Sequence, residues 1–289
     1  MHIGTVSSSV SININYFLLG VYFSCNNGTV STANPQKLNR LLTSQPSGVV
    51  FQARWLTEQG YSSHLQKKYR QSNWLVSIGN GAMIRSGDQV GYEGAIYALQ
   101  KQTGSTIHPG GRTALALLGK AHYLEMDSKR VSLFGNPSEK LPVWFREHAW
   151  GVDLDFHSTS FLPPDLGMTD VEIRTFSIAV SGAPRALMEC LYLAPEKQNL
   201  VECFELMEGL NNLRPDQVQI LLEKCGSVKV KRLFLYLADK AGHDWFQFLD
   251  LKKVDLGCGK RSVVKGGVYV EKYQITVPRE LEEGGKSGL

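Results

Sequence analysis

The stretch PSGVVFQARWLTEQGYSSHLQKKYRQSNWLVSIGNGAMIR, Pro46 to Arg85, decides how the chain is read. After the Pro46-Ser47-Gly48 turn, Val50, Phe51, Trp55 and Leu56 recur at helical spacing, so an amphipathic helix is expected over Val49 to Gln59, stopped by Gly60. Ser62 or Ser63 is placed as the N-cap of a second helix. That helix turns Leu65 and Tyr69 inward and leaves His64, Gln66, Lys67, Lys68 and Arg70 on its free face. Trp74 to Ile78 and Ala82 to Arg85 then read as two strands joined at Asn80-Gly81, a dipeptide suited to the φ > 0 conformations of a tight hairpin. Two helices and a hairpin in this order form the pattern of a winged helix-turn-helix. A helix about 10–12 Å across fits the major groove of DNA. Candidate DNA-contacting residues are therefore Ser62, Ser63, Gln66, Lys67 and Arg70 on the helix, with Asn80 and Arg85 on the wing. The pattern alone is also compatible with a solvated helix beside an ordinary hairpin.

Upstream, Leu38, Leu41 and Leu42 suggest a first helix packing behind this unit and closing a small core with Phe51, Trp55, Leu65, Tyr69 and Trp74. Each such side chain, once buried, contributes about 1.5–3 kcal/mol. Downstream, a helix is expected over Tyr92 to Thr103, a strand over Ser105 to His108, a turn at Pro109-Gly110-Gly111 and a helix over Arg112 to Leu118. His122 to Met126 and Arg130 to Phe134 read as a hairpin, and Gly151 to Phe156 as a strand. Ser181 is read as the cap of the first of four C-terminal helices, the others being Leu200 to Leu210, Pro215 to Lys224 and Val228 to Lys240. Two short strands are expected in the tail. The fold class is α+β: an irregular extension over 1–34, a winged helix-turn-helix over 35–90, and an α+β domain over 91–289. Within the last, a mixed α/β middle region gives way to a largely helical part near 145–150.

With 289 residues, 43% hydrophobic and 20% charged, the composition is that of a soluble globular protein, and the apolar patch Tyr16 to Phe23 is too short to span a bilayer. A net charge of +4 permits nucleic acid as a partner without requiring it. Five cysteines without a C-x-x-C pair fit a reducing, cytoplasmic setting.

The chain's catalytic-looking patterns each depart from the spacing their chemistry needs. Gly110-Gly111 followed by Asp153-Leu154-Asp155 resembles the elements with which nucleotidyltransferases hold a nucleotide and two metals, but the separation is too long, and alternation in a strand explains the aspartates. Val254 replaces the first glycine of a phosphate-binding loop ending in Gly259-Lys260, and Ala179 replaces that of a nucleophile elbow at Ser181. The seven histidines show no zinc-ligand spacing. No catalytic residue, metal or cofactor is assigned. A second basic set, Lys224, Lys229, Lys231, Arg232, Lys260 and Arg261, reads either as a second nucleic-acid or nucleotide surface or as ordinary solvated charge.

The segments Trp55-Leu56-Thr57-Glu58-Gln59-Gly60-Tyr61-Ser62, Ile78-Gly79-Asn80-Gly81-Ala82, Gly94-Ala95-Ile96-Tyr97-Ala98-Leu99-Gln100 and His108-Pro109-Gly110-Gly111-Arg112-Thr113-Ala114-Leu115 carry a resemblance to the AbiEi family. Those proteins are antitoxins and repressors of type IV toxin-antitoxin systems. The similarity runs from about Asn34 to the end, through Val228 to Ala238 and Tyr273 to Leu281. It implies a non-enzymatic bacterial antitoxin that represses its own operon; a winged helix-turn-helix would meet inverted repeats as two copies per operator, which is compatible with a monomer in solution. It further implies that the C-terminal domain antagonises a nucleotidyltransferase-type toxin without forming a stable complex. The rival readings are a ligand-responsive winged-helix regulator, which would need a pocket in the second half, and a nucleotidyltransferase. The extension before Ala33 lies outside the resemblance and is read as a start called too far upstream, with initiation nearer Val30. N-terminal mass determination on the natural product checks this: a product beginning near Val30 is expected, and an intact Met1 form contradicts it.

Overall fold

A computed structural model describes residues 35–120 and 129–283, so the 1–34 extension lies outside the described residues. The N-terminal elements are α1 (Pro35–Ser44), β1 (Val50–Gln52), α2 (Ala53–Glu58), α3 (Ser63–Gln71), β2 (Leu75–Gly79) and β3 (Ala82–Arg85). The helix expected over 49–59 is thus only half a helix. Val50, Phe51 and Gln52 pair antiparallel with Ile84, Met83 and Ala82, and a β-branched residue beside an aromatic suits such pairing. Helix begins at Ala53, whose N–H is taken by the Gly81 carbonyl at 2.8 Å. The Asn80-Gly81 hairpin forms as expected, and β1 joins it as a third strand in the order β1-β3-β2.

Alternate side chains of a strand leave opposite faces. On one face Phe51, Leu75 and Met83 meet Leu38, Leu41, Leu56, Tyr61 and Tyr69 in a small core. Trp74, expected there, is instead 50% exposed just before β2. On the other face Val50 and Ala82, with half-buried Ile78 and Ile84, belong to the large core of the remaining chain.

That second face is covered by α4 (Tyr92–Thr103), whose bounds match the sequence expectation. The Gln102 amide closes the join: its Oε1 accepts from Gln52 N at 2.9 Å and its Nε2 donates to Val50 O at 2.7 Å, while Gln52 Nε2 donates to Ala98 O at 2.9 Å. A Cβ on Gly94 would run into the Gly48 carbonyl oxygen, so the helix approaches the turn only because that residue lacks a side chain.

Then come β4 (His108–Pro109), α5 (Gly111–Leu117), β5 (Arg130–Gly135), α6 (Val143–Glu147), β6 (Asp153–Ser158), β7 (Met168–Ile173), β8 (Phe176–Ser181) and α7 (Ala183–Leu193). Strand β5 pairs antiparallel with β4 and parallel with β6. Its expected hairpin partner at 122–126 falls outside the described residues. The β7–β8 hairpin was not anticipated. It returns to α4 through the Gln100 amide, which donates to the Ala179 carbonyl and accepts from its N–H, both at 2.9 Å.

The C-terminal part holds α8 (Leu200–Glu208), α9 (Pro215–Lys224), α10 (Val228–Ala241), β9 (Arg261–Ser262), β10 (Val268–Val270), β11 (Ile275–Val277) and α11 (Arg279–Glu283). The tail therefore contains three strands rather than two, in the order β10-β11-β9. The class is α+β, and no helix among the described residues is long and apolar enough to cross a membrane.

The close approach at Gly94 gives a prediction opposite to helix propensity, which favours Ala over Gly by about 1 kcal/mol. Gly94→Ala is expected to lower stability by about 1–3 kcal/mol, as overpacking does, read from chemical denaturation; a gain in stability would contradict the contact.

Candidate nucleic-acid interface

Helix α3 is placed by its two ends and its inner side. Ser62 Oγ accepts from Leu65 N at 3.3 Å, so Ser62 is the N-cap and its hydroxyl satisfies a helix-end donor. Tyr69 is buried in the small core, and Ser63, His64, Lys67, Arg70 and Gln71 are exposed. Gln66 departs from the expectation. It is 3% exposed, and its Nε2 donates to Ala53 O, Thr57 Oγ1 and Tyr61 O at 3.0, 3.0 and 2.7 Å, tying α3 to α2. It is a bracket between helices and does not face a groove. Its three acceptors lie at the first residue of α2, near the end of that helix and in the turn that follows it, so one amide ties both helices and the turn together.

Arg85 also departs from its assignment to phosphate. Its Nη2 donates to the Leu42 and Gln45 carbonyls at 2.6 and 3.2 Å, closing the C-terminal end of α1, where carbonyls lack intrahelical partners. Asn80 is exposed at the hairpin tip. Between tip and helix lies an open cleft of about 350 Å³ lined by Arg70, Ser77, Asn80 and Gly81, with Arg70 Nη1 3.2 Å from Met83 Sδ. The hairpin leans on the second half of the chain: a Cβ on Gly79 would stand 3.0 Å from Trp144 Cβ, and Gly79 has φ of 150°.

The second basic set is not one surface. Arg232 is 1% exposed and donates to the carbonyls of Leu256, Gly257, Gly259 and Gln274, while Lys231 is 4% exposed. Lys229 Nζ donates to Tyr192 and Ala194 carbonyls at 2.9 and 2.6 Å, at the end of α7. Only Lys224, Lys260 and Arg261 of the set are exposed, and Lys260 stands over the Tyr269 ring at 4.9 Å. The loop over 256–259 leaves carbonyls outside any ladder, and the guanidinium of Arg232 satisfies them and adds a second donor to Gln274 O, which also accepts from Arg261 N.

A cluster that sequence reasoning did not assign lies under the His108-Pro109-Gly110-Gly111 turn. Glu189 on α7 is fully buried and accepts from Gly111 N at 2.9 Å, Arg185 Nε at 2.9 Å and Ser181 Oγ at 2.7 Å, with His108 Nε2 at 3.3 Å. Ser181 is therefore not a helix cap; Gly182 holds that position, and the hydroxyl serves the carboxylate. Burial opposes the Glu189 charge, but His108, Arg185 and Ser181 outweigh it and hold the carboxyl below its ordinary value of 4.5. Its signal in the sequence was the Arg185-x-x-x-Glu189 spacing on an otherwise apolar helix. Cys190 and Cys203 are buried and behave as core residues; burial pushes the Cys203 thiol up to about 12.

The nucleotidyltransferase-like elements are separated by a strand. Gly110 N donates to Ser132 O on β5, and Asp155 lies beyond, opposite Ser132 on β6. Asp155 is engaged by Lys197 at 3.2 Å and His157 at 3.3 Å, and among the described residues no group of three or more His, Cys, Asp or Glu side chains is arranged to hold a metal.

A cationic helix exposed beside a three-stranded sheet, mounted on a mixed body with one buried carboxylate at its turn, defines the class: an α+β protein with a basic helix on its surface. Residues 34–126 match the family model described as transcriptional regulator, AbiEi antitoxin N-terminal domain, and residues 128–278 match that described as transcriptional regulator, AbiEi antitoxin, Type IV TA system. The chain belongs to this family. Among solved structures, the crystal structure of the RV2827C protein from Mycobacterium tuberculosis is similar with a TM-score of 0.52 at 14% identity, covering 83% of this chain and 89% of that one. That likeness is one of fold. No curated protein matches.

The carboxylate gives a pH prediction. Because the folded Glu189 titrates below its unfolded value, its stabilisation is complete above about pH 4.5 and is lost as pH falls through the folded value. Glu189→Gln leaves Arg185 buried without its counter-charge and is expected to cost about 3–5 kcal/mol at neutral pH. The deficit against the natural chain should shrink in unfolding curves taken below pH 4.5; a pH-independent difference would contradict the assignment.

Proposed function

We propose that the chain is an antitoxin that represses its own operon, with residues 35–90 as a winged helix-turn-helix reader and α3 as the helix that enters the major groove. The observation that carries the reading is the division of α3 into two sides: Gln66 and Tyr69 fasten it inward, while Ser63, His64, Lys67 and Arg70 are left to solvent on a helix with no acidic residue. Lys67 and Arg70 supply the phosphate or base contacts. Asn80 at the hairpin tip and the cleft beside Arg70 take the adjacent backbone. Gln66 and Arg85 leave the contact set, and His64 and Gln71 join it. Two copies occupy an operator of inverted repeats, each half-site meeting one reader.

Family membership supports the rest: residues 91–289 form the antitoxin domain, which antagonises a nucleotidyltransferase-type toxin without a stable complex, in the cytoplasm. The sheet shared between the small and large cores makes a truncated reader a poor test, because removing β8 uncovers α4. Full-length Lys67→Ala with Arg70→Ala is the better one. The double variant is expected to weaken operator binding and to flatten the plot of log affinity against log salt by up to about 2 units, since each lost phosphate contact removes about 0.9. It should still rescue cells from the toxin. Unchanged affinity and slope would refute the helix assignment; loss of rescue would refute the division of labour.

A further inference from the structure

A cavity of about 250 Å³ opens where the parallel strands β5 and β6 end. Gly135 and Asn136 close β5, Thr159 and Ser160 follow β6, and crevices outside the carboxyl ends of parallel strands are recurrent ligand sites in mixed sheets. None of its lining residues is acidic. The two carboxylates that flank it are engaged: Glu189 as described, and Glu139 by Ser105 Oγ at 2.6 Å, the N–H groups of Thr106 and Asn136 at 2.8 and 3.0 Å, and the Thr106 hydroxyl.

Two cations line the same space. Arg185 is 5% exposed; its Nε holds Glu189 and its Nη1 donates to the carbonyls of Pro163, Pro164 and Leu166, whereas Nη2 makes no hydrogen bond to any described residue. Lys224, the last residue of α9, is exposed and has no hydrogen-bond or ion-pair partner among the described residues. The Ser160 hydroxyl is likewise without a partner among them. A buried guanidinium with donors to spare, a free ammonium and a free hydroxyl around one cavity match the oxygens of a tetrahedral dianion. The remaining wall, Phe134, Phe161, Leu162 and the Pro163-Pro164 loop, is apolar and suits a small organic body.

We propose that this cavity binds a small phosphate monoester, with its phosphate between Arg185 Nη2, Lys224 and Ser160 and its organic part against Phe161 and Leu162. The site lies away from α3 and stands or falls independently of operator reading.

Calorimetric titration of the full chain with ribose 5-phosphate, inorganic phosphate and ribose tests it. Saturable one-site binding of ribose 5-phosphate is expected, weaker binding of inorganic phosphate, and none of ribose. Lys224→Glu, at an exposed position, should reduce affinity about tenfold or more with unfolding curves unchanged, and Ser160→Ala should reduce it several-fold. Absence of saturable binding of ribose 5-phosphate at millimolar concentration would overturn the site. Equal affinity of Lys224→Glu and the natural chain would overturn its location, and equal affinity for inorganic phosphate and the sugar phosphate would overturn the ester assignment.

Discussion

The structure depends on a sheet of three short strands in which β1 and β3 feed two cores, one on each face. Val50-Phe51-Gln52 and Ala82-Met83-Ile84 are paired residue for residue, so Phe51 and Met83 go to the small core and Val50 and Ala82 to the large one. A slip of one residue would exchange the two sets and leave neither core filled. Gln52 shares the face of Val50, and being polar it must be matched: its Nε2 donates to the Ala98 carbonyl of α4, while the Gln102 side chain exchanges hydrogen bonds with the strand backbone. The same helix then takes β8 through Gln100. One register thereby fixes the N-terminal unit, the helix behind it and the hairpin behind that.

Buried and half-buried positive charge recurs as a fastener for loose carbonyls. Arg85 closes the end of α1, Arg185 holds the Pro163–Leu166 loop, and Arg232 gathers four carbonyls of the tail. Irregular segments leave backbone acceptors that no strand or helix satisfies, and a guanidinium offers five donors in a rigid fork. Only Arg185 has a full counter-charge close by, in Glu189, and that pair is tied to the glycine turn through Gly111 N.

Elements governed by local spacing were legible in the sequence. The helix over Tyr92–Thr103, stopped by Gly104, and that over Pro215–Lys224, opened by Pro215, carry their boundaries and stripes in local spacing, and the Asn80-Gly81 turn announces its hairpin. The run Val50 to Gln52 was misread because its strand character comes from Ala82 to Ile84, some thirty positions away, while its apolar residues happen to fit a helical period. Gln66, Arg85, Lys231 and Arg232 were assigned outward for a related reason. Charge and polarity mark a residue as costly to bury, but partners distant in the chain decide whether the cost is met. The Glu189 cluster was half visible, as a glycine turn whose purpose the neighbouring residues did not reveal. A Cβ at Gly110 would strike both the Glu189 carboxylate and the Phe134 ring, so the turn is the lid of that cluster.

The hairpin that rests on Trp144 is held from two directions, by β1 along its edge and by α6 beneath Gly79. A flap anchored in this way gives up little freedom when something docks beside it, since its conformational entropy has already been removed during folding. Whatever lies against its tip therefore meets a rigid template, and the selectivity of that encounter rests on shape fixed in advance.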